Sequence, residues 1–158
     1  MKQEVRRRHG DTGKILSVNT SSRKGQKKHG VGLCTLKEDY GMEGDAHAGM
    51  EIRQVSLLAQ ESIDKIQALG IEVGPGDFAE NITTEGLVLH ELPLGTRFKV
   101  GESVLLELTQ IGKICHDRCA IFKAVGDCVM PREGIFARVV SGGEVRDGDT
   151  IRIVSPDE

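Results

Sequence analysis

Tryptophan is absent, tyrosine occurs once, and aromatic residues make up 3% of the 158 positions. Stacking on aromatic rings, the device of single-strand nucleic-acid platforms, is therefore excluded as the main binding mode. Long apolar runs are missing too: nothing approaches the ~18–20 consecutive apolar residues of a transmembrane helix. The opening MKQEVRRRHG is charged with no apolar run behind it, so it does not read as a secretory signal. The expected location is the cytoplasm, with no membrane partner. Four cysteines there are expected as thiols, ligands or nucleophiles rather than as disulfides. Glycine is in excess, 20 residues where about half that is usual. That many glycines suit tight turns between short strands.

Charge is divided along the chain. Residues 1–30 hold nine Lys or Arg against two acids, and the remainder holds twelve against twenty-two. Most of the chain would repel a phosphate backbone, so nucleic acid is not an expected partner. A chain of this length fits one domain and buries roughly 70% of its unfolded surface, enough for a core without disulfides. Residues 1–11 are expected to be a disordered basic arm and residues 12–158 a single domain.

Apolar alternation marks short strands at TGKILSVNT, 31–37, 53–59, 97–100, 104–111, 135–140 and 149–154. Ile63, Ile66 and Leu69 are spaced by three, and Gly70 follows, which predicts one clear helix over about 60–69. Short helical turns are expected near 115–125. The Gly-rich stretches 40–51 and 73–87 read as loops, and SGGE at 141–144 as a hairpin turn between the last two strands. The expected class is mainly β, a barrel of short mixed strands. A Rossmann fold is excluded by the lack of βαβα alternation.

Four segments carry candidate chemistry. In GDAHAG, Asp45 and His47 are two apart, and extended backbone turns such residues to the same side. They suit a general base with its orienting acid, a ligand pocket, or a network that stabilises the loop. In GDFAENI, Asp77, Glu80 and Asn81 suit either loop bonding or contact with a polar ligand. GKICHDRC follows a strongly apolar strand. Lys113, Arg118 and His116 surround Cys115, and positive neighbours favour the thiolate. Three uses stay open: a reactive thiol, a metal site with His116, Cys119 and Cys128, or inert packing; the spacing is not a standard zinc pattern. In DCVMPREG, Arg132 suits a bidentate phosphate contact, against a surface role for the Arg132–Glu133 pair.

Taken together, GMEGDAHAG, RQVSLLAQESI, GDFAENITTEGL, LPLGTRFKVGESVLLELTQIGKICH and MPREGIFARVVSGGEV resemble the MOSC domain, named for the C-terminal domain of molybdenum-cofactor sulfurase. The resemblance runs from about Gly13 to Val154 and is closest to small stand-alone prokaryotic members. It implies a β-barrel and a role around the molybdenum cofactor (molybdopterin). Cys115, after Thr109-Gln110, matches the family's functional thiol: a persulfide sulfur carrier with sulfurtransferase-type activity, or a ligand to molybdenum. Asp45, His47, Arg53, Asp77, Glu80, Asn81, Lys113 and Arg132 are then the candidate cofactor-binding residues, with Lys24, Lys27 and Lys28 as further phosphate contacts. No pyridoxal phosphate site is expected here. A cysteine desulfurase, the pyridoxal phosphate-dependent partner, would load the sulfur, and cofactor biosynthesis proteins or molybdoenzymes would receive it. The alternatives are a component of a cofactor-dependent reductase of N-hydroxylated compounds, a non-catalytic cofactor chaperone, and a zinc-stabilised structural domain.

Overall fold

The computed structural model describes residues 11–23, 27–46, 48–112 and 133–154. Along the chain run β1 (Thr12–Thr20), β2 (His29–Gly30), β3 (Leu33–Lys37), β4 (Gly41–Met42), β5 (Val55–Ala59) and α1 (Gln60–Gln67). They are followed by β6 (Ile82–Glu85), a 3-10 turn (Leu89–Glu91), β7 (Arg97–Val100), β8 (Val104–Ile111), β9 (Ile135–Ser141), β10 (Gly143–Arg146) and β11 (Thr150–Val154).

Seven strands close into a mixed barrel in the order β1-β6-β5-β9-β8-β7-β11, and β11 returns to pair with β1. Closure leaves these strands without the open edges of a flat sheet. All the pairings are antiparallel except β5 with β6. A parallel pair needs a crossover connection, and α1 with the loop after it supplies one. β3, β4 and β10 form a smaller sheet alongside.

Side-chain alternation sorts two apolar regions. Ile15, Leu57, Ile82, Phe98, Leu106, Leu108, Val139 and Ile151 fill the barrel. Their neighbours Leu58 and Phe136 point the other way and meet Ile63, Ile66 and Phe78 under α1. β5 is buried along its whole length because both of its faces are covered.

The mainly β barrel with one helix agrees with the sequence reading, and most strands fall within two residues of their expected limits. Three expectations need correction. The helix stops at Gln67, and Leu69 lies beyond it and is exposed. The stretch 73–87 is not all loop: Ile82–Glu85 is a barrel strand whose Thr-Thr-Glu composition hid it. SGGE is not a turn between β9 and β11. Gly143 and Glu144 begin β10, which pairs with β3, while β9 and β11 pair with other strands. The expected helical turns near 115–125 and most of the basic arm lie outside the described residues. Among the described residues no helix is long and apolar enough to cross a membrane.

Candidate functional site

β8 leaves the barrel beside the 48–54 segment, and local irregularity aims its last residues outward. The ladder between β8 and β9 shifts at Leu108/Gln110, as a bulge does. Gln110 thereby pairs with Phe136, on the outer side of the barrel. The Thr109 hydroxyl faces two carbonyl acceptors, Ile52 and, at 3.1 Å, Phe136, and its single proton reaches one at a time. Just past the strand, the Gly112 amide donates to the Gly134 carbonyl at 2.6 Å. The chain therefore departs after Gly112 and returns before Gly134 at one narrow neck.

A depression of about 300 Å³ opens beside this neck, lined by Gly49, Met50, Glu51, Ile52, Arg53 and Gln110. The Arg53 guanidinium carbon lies 5.9 Å from the centre of the Phe136 ring, a cation–π distance. The Gln110 amide donates to the Gly112 carbonyl at 2.8 Å. Buried Gln54 holds the segment down: its Nε2 donates to Asp39 Oδ1 at 3.0 Å and to the Glu51 carbonyl at 2.9 Å, while its Oε1 accepts from Val139 N at 2.9 Å. Gln54 was not among the residues singled out by sequence. A polar residue starting a buried strand was the signal available.

Asp45 is buried in a carboxylate–ammonium pair with Lys28, 2.8 Å apart, and its Oδ1 also accepts from Ser21 N at 3.1 Å. Lys28, one of the expected phosphate contacts, is turned inward. The Asp77 carboxylate accepts from Gly74 N at 2.9 Å. Glu80 is fully buried and accepts from Gly76 N at 2.9 Å, Phe78 N at 3.2 Å and the Thr83 hydroxyl at 2.7 Å. Burial pushes the Glu80 carboxyl above the usual glutamate range, with these hydrogen bonds pulling the other way. Asn81 Oδ1 accepts from Ser56 N at 2.9 Å, and its Nδ2 donates to the Asn19 carbonyl at 3.2 Å.

The Asp45 and Glu80 segments are brought together through Lys28, whose backbone amide donates to the Gly76 carbonyl at 2.8 Å. Glu80 and Asn81 thus tie the 74–81 loop to β1, β5 and β6, Asp45 joins loops through Ser21 and Lys28, Asp77 bonds within its own loop, and none of the four lines the depression at Arg53. His47, Lys113, Cys115, His116, Arg118, Cys119, Cys128 and Arg132 lie outside the described residues. So do Lys24 and residues 1–10.

Glu133, for which a surface role beside Arg132 was the alternative reading, is buried against α1. It accepts from the Ser62 hydroxyl at 2.6 Å and from Lys65 Nζ at 2.7 Å. Burial raises its carboxyl, but the bonds to Lys65 and Ser62 outweigh that and leave it below the usual range.

The MOSC domain family pattern matches residues 43–152, more than half of the chain. The chain belongs to the MOSC domain family. The match starts just before Asp45 and includes Arg53, the 74–81 loop, β8, β9 and most of β11. The MOSC fold also recurs in solved structures. The YuaD protein of Bacillus subtilis superposes with a TM-score of 0.72 at 19% identity, over 90% of this chain and 95% of that one. YiiM of Geobacillus stearothermophilus gives 0.66 at 18% identity, over 90% and 75%. YiiM of Escherichia coli gives 0.61 at 22% identity, over 90% and 70%. At such identities the likeness is one of fold. No curated protein matches this MOSC chain.

Proposed function

We propose that this MOSC domain binds the molybdenum cofactor, or a related pterin–metal species, and that Cys115 carries sulfur for it. The observation behind this reading is the family match over residues 43–152, together with the position of Cys115 in the sequence. It stands three residues beyond Gly112, where β8 ends beside the Arg53 depression.

The residues present suit such a ligand. A guanidinium and a side-chain amide border an open depression, as a phosphate-bearing polar molecule requires. The soft ligand in this reading is Cys115, from its match to the family's thiol position after Thr109-Gln110. When bound, the cofactor would supply a metal centre with affinity for soft sulfur.

The chain's own step is thiol exchange. The Cys115 thiolate attacks the terminal sulfur of a donor persulfide on a cysteine desulfurase. A new S–S bond forms on Cys115, the donor's S–S bond breaks, and the donor leaves as a thiolate. Lys113 and Arg118, close in sequence, favour the ionised thiol. Asp45, Asp77, Glu80 and Asn81 keep the surrounding loops in place. The receiving protein is a molybdoenzyme or a cofactor biosynthesis protein.

The test is intact mass under non-reducing conditions after exposure to a persulfide donor. A gain of about 32 mass units, one sulfur atom, mapped to Cys115 and absent in Cys115→Ala is the expected result. Equal sulfur loading and equal cofactor binding by wild type and Cys115→Ala would reject the role.

A further inference from the structure

We propose that the groove between α1 and the 86–91 turn is a docking surface for this chain's own basic N-terminal segment, with Arg6, Arg7 and Arg8 entering it. The proposal goes beyond the cofactor reading and does not depend on it.

The groove is a hollow of about 300 Å³, and its walls are of two kinds. Ala59, Leu87 and Val88 supply apolar surface, and Val88 is 44% exposed. Glu61, Glu91 and Glu133 bring three carboxylates against the single ammonium of Lys65, with half-buried His90 beside them. Glu133 gives one oxygen to Ser62 and the other to Lys65, and Glu61 accepts from the Gly86 amide at 2.9 Å. Glu91 is exposed, and among the described residues its carboxylate takes no bond. Negative charge is thus in excess over an apolar wall. An arginine suits both: its stem covers hydrocarbon while its guanidinium pairs with carboxylate.

The occupant follows from where the chain emerges. β1 begins at Thr12 and runs antiparallel to β6, so its start lies at the end of β6 that leads into the groove wall. A Cβ on Gly13 would stand 3.1 Å from Leu87, and one on Gly86 would stand 3.4 Å from the Thr12 carbonyl. The segment 1–10 carries Lys2, Arg6, Arg7 and Arg8 against one acid, Glu4. Four to six residues separate these arginines from Thr12, a reach of roughly 13–22 Å when extended. Single exposed ion pairs are weak, but a short tether holds the arginines near the groove at roughly millimolar effective concentration. The other acidic hollow, at Glu102, Glu144 and Asp149, is less suited. It lies beside Ile15, whose amide donates to the Asp149 carbonyl at 2.8 Å, further along β1 and away from the exit. Arg146 already pairs with Glu144 there.

The experiment compares backbone amide resonances of the full 15N-labelled chain with those of a variant combining Arg6→Gln, Arg7→Gln and Arg8→Gln. Gly86, Val88 and Glu91 are expected to shift, and Gly32, past the other end of β1, is not. In 1 M NaCl, where screening reaches about 3 Å, wild type should move toward the variant's positions. A synthetic peptide of residues 1–10, added to the triple variant, should shift the same amides saturably. With Glu91→Gln added, it should bind a few-fold more weakly. Groove resonances identical in wild type and triple variant would overturn the proposal. If the peptide still bound in that case, the groove would belong to a basic segment of another protein. Shifts between wild type and triple variant that persist unchanged in 1 M NaCl would overturn the ion-pair basis.

Discussion

Lys28 and Asp45 meet at 2.8 Å with side chains 1% and 0% exposed, so an ion pair sits sealed between the loops that precede β2 and follow β4. Taking two charges out of water is costly, and mutual attraction offsets that cost only while both partners remain. Lys28→Met is therefore expected to destabilise the protein by about 3–5 kcal/mol, as breaking a buried pair does. Lys28→Met with Asp45→Leu should cost clearly less than the two single changes summed. Urea unfolding of the four proteins measures this. Strict additivity would show that the pair is not coupled.

Glu133 makes acid stability testable. Its folded-state pKa lies below that of an ordinary glutamate, because the bonds from Lys65 and Ser62 outweigh the effect of burial. The ionised carboxylate therefore adds stability that is fully present above the unfolded value, near about 4.3, and is lost as pH falls through the folded value. Glu133→Gln should be less stable than wild type at neutral pH, and the gap should close as pH falls from about 5 to about 3. Thermal melts across that range check it. A gap independent of pH would mean that the Lys65 and Ser62 contacts are not charge-dependent.

Gly76 has φ of +88°, and an added Cβ would run into the Lys28 carbonyl. Gly76→Ala thus combines left-handed backbone strain with a clash against main chain that cannot move aside. The expected loss is about 2–4 kcal/mol, from the usual costs of each effect. Gly70→Ala, with a similar φ but nothing within 4 Å, should lose less. Equal denaturation midpoints for the two variants would contradict this.

Cys34 is half-buried, and its thiol lies 3.4 Å from the Glu43 carbonyl. Burial raises the thiol above its ordinary value, and the nearby Glu43 and Asp45 charges add to the effect. Alkylation of Cys34 should therefore be slower than that of a free cysteine at neutral pH, and should need more alkaline conditions to catch up. Peptide mapping after timed iodoacetamide treatment reads this directly. Rapid labelling of Cys34 at pH 7 would be inconsistent with the packing.

Much of the barrel was legible because alternation is a local property. β8 reads apolar at Val104, Leu106 and Leu108, and these three side chains point into the core. β6 was not legible, because its interior side is carried by Ile82 and Thr84 while Thr83 serves a buried carboxylate. Polar content that reads as loop can be strand when a distant partner helps to hold it, as Asn19 Nδ2 does by donating to the Thr83 hydroxyl. The polar loops of the candidate site were found by composition. Their partners, 17 residues away for Lys28–Asp45 and 71 for Ser62–Glu133, leave no mark in the local pattern.

The amino-acid order alone determined a mainly β class, an amphipathic helix and the loops where chemistry is concentrated, because each depends on side chains within a few positions of one another. Only closure of the barrel decided that β5 and β6 run in parallel, that Lys28 turns inward while Arg53 faces a depression, and that Glu133 is held by α1. Those outcomes depend on which distant surfaces exclude water together, and that is settled when the chain packs rather than by local spacing.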